Sequence, residues 1–374
     1  MTTPSSALRH LAPVALIAAS LAFCVPVHAD SNSYQVRNLV SDPGSGISTP
    51  NHDPNLKNGW GVAFNPTGFV WVADNHSGNS TLYDGNGVVQ SLVVKIPSAT
   101  GTGDGSPTGI VFNASNDFAV TAGGATGPSR FIFASEDGMI SGWAPNVDPT
   151  HAIKGWVNAN AVYKGLALAG DGENLFLFAA DFRNGKIDVY DKTFHPVTLP
   201  VSKFRDHQIP SSYAPFNIQN IQGNLYVAYA KKDPNSDDEL AGPGTGFVDV
   251  YDAGGNLLRR LARHGTLNAP WGLALAPTGF GRFSNRLLVG NFGDGTLNAY
   301  DPRTGDFKGQ LRTHDGKLIK IDGLWGIAFG NGIQHQPTGT LFFAAGPNDE
   351  VNGLYGRIDA VSSPGDNNDD DDED

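Results

Sequence analysis

Four aromatic residues, Trp60, Phe216, Trp271 and Trp325, each stand directly before a glycine or an asparagine, at well separated points of the chain. Such rings, when exposed at a binding site, stack on a sugar or on another aromatic group. The same rings also pack together as a core layer when they are buried. The first interpretation predicts a ligand-binding mouth lined by aromatic side chains, and the second predicts a structural cluster.

Lys164 stands before Gly165 in the same sequence setting as these aromatic residues. A cation among aromatic rings needs a counter-charge, and two sources are open. Asp181 could pair with it inside the protein, or an anionic ligand could bind to it.

Polar residues that follow apolar runs are the candidates for metal or turn chemistry. Asp74, Asp181, Asp322 and Asn291 carry the oxygen ligands that calcium prefers. Asp and Asn also stabilise turns by accepting hydrogen bonds from backbone N–H groups. The sequence therefore predicts no cofactor and assigns no metal ligand, although calcium binding stays open.

Recognisable catalytic motifs are missing from the sequence. It contains neither Gly-x-Ser-x-Gly nor His-Glu-x-x-His. His76 is the histidine best placed for acid–base work, and the alternative is a solvated loop side chain. The single cysteine, Cys24, lies in the predicted leader, so the predicted mature chain has no thiol nucleophile and no thiolate metal site.

The two ends of the chain differ in composition from the part between them. Residues 1–29 combine a basic start, a short apolar run and a small-x-small cleavage site, which predicts a signal peptide and a secreted or periplasmic protein. Residues 364–374 hold seven acidic residues and no apolar one, which predicts a disordered acidic tail. No transmembrane anchor is predicted. The net charge of −12 argues against a nucleic-acid partner, because binding to phosphates needs a basic surface.

Residues 30–363 contain a pattern that recurs six times. One unit runs from Trp60 to Ile96 as strand, turn, strand, loop, strand, turn and strand. Equivalent positions recur every 48 to 56 residues, and the markers of the first strand are Gly61, Gly109, Gly165, Asn217, Gly272 and Gly326. This period predicts an all-β, six-bladed β-propeller with four-stranded blades.

The strands of the second and sixth units are predicted separately. The second strand of the second unit is predicted at residues 118–121. The sixth unit supplies only three strands, and residues 34–40 are strand-like, so an N-terminal strand is predicted to close the last blade. Closure of this kind removes a free sheet edge.

The segments Gly61-x-Ala63, Pro66-x-Gly68, Val72-Ala73-Asp74-Asn75 and Leu82-Tyr83-Asp84 resemble the NHL-type propeller repeat. The leader, residues 38–42, Asn58-x-Trp60-Gly61 and Gly353 to Ile358 resemble a family of exported bacterial proteins of unassigned function. The resemblance implies the fold and export, and it brings no catalytic residue with it.

The propeller fold predicts where these residues meet, because the starts of the inner strands share one face with the loops between second and third strands. The predicted function is a scaffold that binds a protein, a glycan or a small ligand at the channel mouth. The alternative is a metal-dependent hydrolase or lactonase. The loop from Lys231 to Gly246 is predicted to project over this face, either as a mobile surface loop or as a lid or a partner contact. The predicted ligand-binding residues are Trp60, Lys164, Phe216, Trp271, Trp325, Asp74, Asn75, His76, Asp181 and Asn291.

Overall fold

The computed structural model describes Met1, residues 33–170, Gly172 and residues 174–361. The predicted signal peptide, apart from Met1, and the predicted acidic tail lie outside the described residues. The described part is almost entirely β-structure. Its one helical element is a short 3-10 turn at Gly281–Phe283, and no helix in this part is long and apolar enough to cross a membrane.

The strands form six antiparallel sheets arranged as blades in a ring, so the protein is a six-bladed β-propeller. Two strands precede the first blade: β1 (Ser33–Ser41) and β2 (Asn51–His52). Blade one contains β3 (Gly59–Phe64), β4 (Val70–Asp74), β5 (Asn79–Tyr83) and β6 (Val94–Lys95). Blade two spans β7 (Pro107–Phe112), β8 (Ala119–Ala122), β9 (Ala125–Pro128), β10 (Phe131–Ser135), β11 (Met139–Trp143) and β12 (Ile153–Val157).

The remaining blades follow in the same order from the axis outwards. Blade three contains β13 (Tyr163–Gly170), β14 (Leu175–Asp181), β15 (Lys186–Tyr190) and β16 (Pro196–Val197). Blade four contains β17 (Tyr213–Ile221), β18 (Asn224–Lys232), β19 (Glu239–Leu240), β20 (Phe247–Tyr251) and β21 (Leu257–Arg263). Blade five contains β22 (Pro270–Leu275), β23 (Leu287–Asn291), β24 (Leu297–Tyr300) and β25 (Phe307–Gln310), and blade six β26 (Leu324–Phe329), β27 (Leu341–Ala345) and β28 (Leu354–Val361).

The predicted closure of the ring is confirmed. β1 pairs antiparallel with β28 from Ser33↔Val361 to Ser41↔Leu354 and completes blade six. Tyr34 on this strand is buried, and its hydroxyl donates a hydrogen bond to the carbonyl of Phe280 in blade five (3.0 Å). The N-terminal segment therefore ties the last blade to its neighbour as well as covering its edge.

The core of the described chain lies between the blades. Both faces of a blade are covered, so its middle strands are apolar throughout rather than alternating. β23 and β27, for example, are buried at every position. Packing between all six pairs of neighbouring blades produces six apolar clusters, and a seventh lies at the axis.

The predicted second strand of blade two is wrong. Residues 119–122 pair with Ala125–Pro128 in a separate hairpin, and β10 is the true second strand. The reason is the Gly123-Gly124 turn, where both glycines adopt positive φ (56° and 83°). This geometry closes a two-residue hairpin, so the segment pairs with itself instead of with β7.

The glycines that mark the repeat lie where inner strands of neighbouring blades approach each other. A Cβ atom added to Gly109 would lie 2.4 Å from the backbone nitrogen of Leu166, and one on Gly326 would lie 2.4 Å from the carbonyl oxygen of Trp60. Only about 20 Å³ of space remains at the axis next to these strands. This cavity has room for about one water molecule.

Candidate binding site at the channel mouth

The four predicted aromatic residues meet at the axis, but they are not exposed. Trp60 and Trp325 stack with ring centroids 3.6 Å apart, and Trp271 contacts Trp60 edge-on at 6.2 Å. The exposed fractions are 2% for Trp60, 4% for Trp271 and 0% for both Phe216 and Trp325. The expectation of accessible indoles at an aromatic mouth is wrong, and these residues form a core cluster, the aromatic plug.

Two further aromatic residues explain this burial. Phe292 follows β23 and stacks on Trp325 at 4.0 Å, and Phe182 follows β14 and packs on Phe216 at 5.2 Å. The indole nitrogen of Trp271 is also used internally, because it donates a hydrogen bond to the carbonyl of Lys164 (2.9 Å). The loops between second and third strands therefore cover the plug instead of leaving it open to a ligand.

Lys164 lies directly above the plug, with its ammonium 5.2 Å from the ring centroid of Trp60. Its nitrogen donates to Glu136 Oε1 at 2.6 Å and contacts Asp238 Oδ1 at 3.4 Å, while its side chain is only 3% exposed. Burial lowers the pKa of Lys164, but the carboxylates of Glu136 and Glu239 outweigh this effect and raise it above its usual value. The internal partner of Lys164 is thus Glu136, not the predicted Asp181.

Blade one supplies amides that orient two of the surrounding carboxylates. Asn75 Nδ2 donates to Glu136 Oε2 at 2.9 Å, and Asn58 Nδ2 donates to Glu350 Oε2 at 2.6 Å. Asn58 also accepts a hydrogen bond from the indole nitrogen of Trp325 at 3.0 Å, which fixes its position over the plug. His76 is exposed beside Asn58, with 3.5 Å between its Nε2 and the Asn58 amide nitrogen.

The predicted lid segment is partly an ordered hairpin. β18 extends above the mouth, where Lys231 pairs with Leu240 and Lys232 with Glu239, and we call residues 231–240 the lid hairpin. Asp237 at its tip receives two hydrogen bonds from Arg183 of blade three, at 2.9 and 2.6 Å. These bonds hold the pKa of Asp237 below its usual value.

Glu239 brings a carboxyl group with altered acidity into the mouth. Burial raises the pKa of Glu239 to about 7, and the attraction of Lys164 offsets this only in part. Repulsion from Glu350 and Asp238 adds to the rise. Glu239 therefore changes its protonation state near neutral pH, which is the range a general acid or base requires.

Replacing Glu239 with glutamine should stabilise the protein at pH 8 but not at pH 4.5. The pKa of Glu239 lies near 7 in the folded state against an ordinary value of 4.5, so stability falls as the pH rises through this interval. At about 1.4 kcal/mol per pKa unit, the difference between 7 and 4.5 corresponds to a gain in unfolding free energy of about 3 kcal/mol at pH 8. Urea unfolding at both pH values measures it. Asp306→Asn in an exposed turn is the control and should give no gain at pH 8, and an equal gain of E239Q at both pH values would contradict the assignment.

Glu350 reaches the mouth from an unusual backbone conformation in blade six. Asn348, Asp349 and Glu350 all adopt positive φ (59°, 53° and 64°), which costs about 1–2 kcal/mol per non-glycine residue. Asp322 Oδ2 accepts a hydrogen bond from the backbone N–H of Asn348 at 2.9 Å and helps to hold this turn. Burial raises the pKa of Glu350. Backbone strain of this kind concentrates at functional sites.

The remaining predicted polar residues stabilise turns or lie in the core. Asp181 accepts hydrogen bonds from the backbone of Val162 and from Asn184, and Asn291 bonds to backbone groups of Thr266 and Asn268. Asp74 is fully buried at the end of β4, and burial raises its pKa well above the usual value. In the described residues, no group of three or more His, Cys, Asp or Glu side chains is arranged to hold a metal ion.

Sequence reasoning missed most of the carboxylates at the mouth. Glu136 follows β10 as Asn75 follows β4, so the wrong second strand in blade two concealed its equivalence. Glu239 lies in a hairpin strand that has no counterpart in the other described blades. The position of Glu350 results from three consecutive residues with positive φ, and no local sequence pattern predicts this conformation. Asn58 was visible only as part of the Asn58-x-Trp60 segment.

We define the mouth as the site formed above the plug by side chains from five blades. It combines one buried cation with four carboxylates, two amides and one histidine, and these groups can bind a polar ligand or move protons. The members are Asn58, Asn75, His76, Glu136, Lys164, Asp238, Glu239 and Glu350.

Fold and site together define a propeller with an aromatic plug at its axis and a charged mouth. No family model matches the chain. Two uncharacterized proteins of Acanthamoeba polyphaga mimivirus are similar to it. One is 35% identical over 318 residues, covering 82% of this chain and 76% of the relative, and the other is 32% identical over 341 residues, covering 87% and 86%. The chain belongs to the family of these proteins. Because a virus encodes them, they give no support to the predicted bacterial origin.

Solved structures similar to this chain confirm the propeller fold. Virginiamycin B lyase from Staphylococcus aureus matches 88% of this chain and 100% of its own, with a TM-score of 0.50 and 14% identity. A protein of unknown function from Bacteroides thetaiotaomicron matches 87% of this chain and 76% of its own, with a TM-score of 0.53 and 11% identity. At this level of identity the likeness shows the fold alone.

Proposed function

We propose that the protein is a ligand-binding propeller whose binding site is the mouth. The observation that carries the proposal is the convergence of charged side chains from several blades on the buried ammonium of Lys164. Removing charges from water is costly, and the raised pKa values of Glu239 and Glu350 indicate that this site costs stability. Groups with such perturbed acidity cluster at functional sites.

The ligand contacts in this proposal are polar rather than aromatic. The plug is covered by Phe182 and Phe292, and the cavity at the axis next to the inner strands has only about 20 Å³ of space. A ligand therefore meets carboxylates, amides and Lys164. A small polar molecule fits this description, and so does the polar tip of a glycan or a protein partner.

Acid–base catalysis is a second candidate function at the same place. Glu239 with its pKa of about 7, near Lys164 and Glu350, is the observation that favours it. A group that titrates near the working pH both accepts and donates protons in a hydrolytic reaction. A metal requirement, as in the predicted hydrolase or lactonase, is a separate proposal, tested by activity with and without added calcium.

Ligand binding at the mouth should depend on Lys164 and not on a lysine elsewhere. We expect at least one of glucose, tricarballylate and putrescine (a neutral, an anionic and a cationic probe) to bind the parent protein. Lys164→Met should change this binding at least tenfold, since it removes the central cation and leaves Glu136 without its counter-charge. Binding of glucose or tricarballylate should weaken, and binding of putrescine should tighten. Isothermal titration calorimetry measures the change.

The matched control is Lys186→Met, which removes a half-exposed lysine on β15 and should leave binding unchanged. Glu350→Gln serves as a second mouth variant in case K164M does not fold. Failure of all three probes to bind, or binding that both mouth variants retain in full, would count against the mouth as the site.

Export is proposed on the leader alone. Residues 1–29 carry the basic start, apolar run and cleavage pattern of a signal peptide. The expected mature chain begins at Asp30. The intact mass of protein recovered from the medium or periplasm tests this, and a mass that retains residues 1–29 would contradict it.

A further inference from the structure

The lid hairpin carries three consecutive acidic residues, Asp237, Asp238 and Glu239, and they face cations of the neighbouring blade. Asp237 forms the paired hydrogen bonds with Arg183. Asp238 contacts the ammonium of Lys164, and Glu239 lies close enough to alter the pKa of that lysine. A short acidic segment of the chain is thus seated on the basic groups at one side of the mouth.

The contacts have the form that proteins use to bind free carboxylates. A planar guanidinium that donates two parallel hydrogen bonds to one carboxylate is a specific recognition geometry, and a buried ammonium supplies a second charge. Arg183 and Lys164 provide these two groups, and Lys232 Nζ is held nearby on the carbonyl of Arg183 (2.6 Å). The acidic residues therefore occupy a place that suits a ligand with two or more carboxylates.

Little holds the hairpin in this place. Arg183 and Asp237 are 42% and 43% exposed, and Asp238 is 68% exposed. The exposed Arg183–Asp237 pair therefore contributes only about 0–1 kcal/mol, and the contact of Asp238 with the buried Lys164 is long, at 3.4 Å. The hairpin strand β19 is two residues long and pairs only with the end of β18. Lifting the tip away from blade three therefore breaks few strong contacts.

Lifting the hairpin also changes the charge that a ligand meets. The carboxylates of Asp237 and Asp238 leave together with Glu239, and Arg183 and Lys164 become available, while Glu136 remains bound to Lys164 and Asn75. A mouth that is acidic in the closed form then presents a basic side to its ligand.

We propose that the acidic residues of the lid hairpin are an internal substitute for the ligand, and that the ligand class is a small polycarboxylate that bridges Lys164 and Arg183. The ligand displaces Asp237 and Asp238 and holds the hairpin open. This inference rests on the proposed function, because it assigns a ligand class to the same mouth.

The test uses tricarballylate, which has three carboxylates, and the triple variant Asp237→Asn, Asp238→Asn, Glu239→Gln. The neutral hairpin no longer competes, so the variant should bind tricarballylate at least tenfold more tightly than the parent, while acetate gains much less. Adding Arg183→Gln to the triple variant should abolish the gain. Isothermal titration calorimetry at low salt gives the dissociation constants.

The control is a triple variant that removes the same charge from the opposite face. Asp191, Asp252 and Asp306 lie in equivalent turns between the third and fourth strands of blades three, four and five, and their replacement by Asn should not tighten binding. An equal gain in this control would show general electrostatics and overturn the inference, and so would a hairpin variant that gains nothing.

The two proposals fail in different ways. Lys164-dependent binding of glucose or putrescine, with no gain for tricarballylate in the hairpin variant, overturns the inference and leaves the binding function standing. Absence of binding for every probe in every variant overturns both.

Discussion

Deleting residues 30–40 should lower the free energy of unfolding by about 5 kcal/mol or more, because several buried side chains are each worth roughly 1.5–3 kcal/mol. The deletion removes most of β1, including the buried Tyr34, Leu39 and Val40. It also exposes the edge of β28 along most of its length. Since a whole domain is stable by only about 5–15 kcal/mol, the truncated protein should be largely unfolded at 37 °C.

Thermal unfolding followed by circular dichroism measures this loss. The control keeps the strand and changes only outward-facing residues, as in the double variant Gln35→Ala, Arg37→Ala, where both side chains are exposed. This variant should cost less than about 1 kcal/mol, as is usual for surface substitutions. A truncated protein that melts at the temperature of the parent would show that β1 does not hold the ring closed.

Replacing Trp325 with alanine should destabilise the protein by about 3–5 kcal/mol, as for other large aromatic side chains removed from a core. Trp325 is completely buried, stacks on Trp60 and Phe292, and donates a hydrogen bond to Asn58. Its loss leaves a cavity at the axis, where inner strands from all sides meet and cannot easily collapse. Asn58 would also lose a partner that orients it toward Glu350.

Urea unfolding of this variant is best compared with Trp156→Ala. Trp156 lies on the outer strand β12 and is only partly buried, so its loss should cost clearly less. Equal effects of the two substitutions would contradict the central role of the plug. A W325A variant that keeps the stability of the parent would contradict it as well.

Most of the fold was predictable because a propeller repeats one local pattern. The inner-strand markers at Gly61, Gly165 and Gly326 were correctly aligned, and the structure explains them by the close approach of neighbouring inner strands. The one misplaced strand arose because residues 118–121 have strand composition yet belong to a local hairpin. Composition alone does not distinguish pairing with a blade from pairing with the segment next to it.

The residues that meet at the proposed site were predictable only in part. Lys164, Asn75 and His76 lie at the mouth as expected. Asp181 and Asn291 instead form hydrogen bonds with backbone groups of nearby turns. Aromatic residues at a strand start are compatible with either exposure or burial. Whether such a ring is exposed or buried depends on whether a residue from another part of the chain covers it, as Phe292 covers Trp325.

The sequence by itself determined the number of blades, the order of strands within most of them and the use of the N-terminal strand for closure. These features depend on strand patterns and turns of neighbouring residues, so they can be read along the chain. Only the tertiary structure decided which charges meet at the mouth. Glu136, Glu239 and Glu350 come from three blades and are about a hundred residues apart. Their meeting with Lys164 depends on ring closure, on one hairpin and on a left-handed turn, which no local pattern encodes.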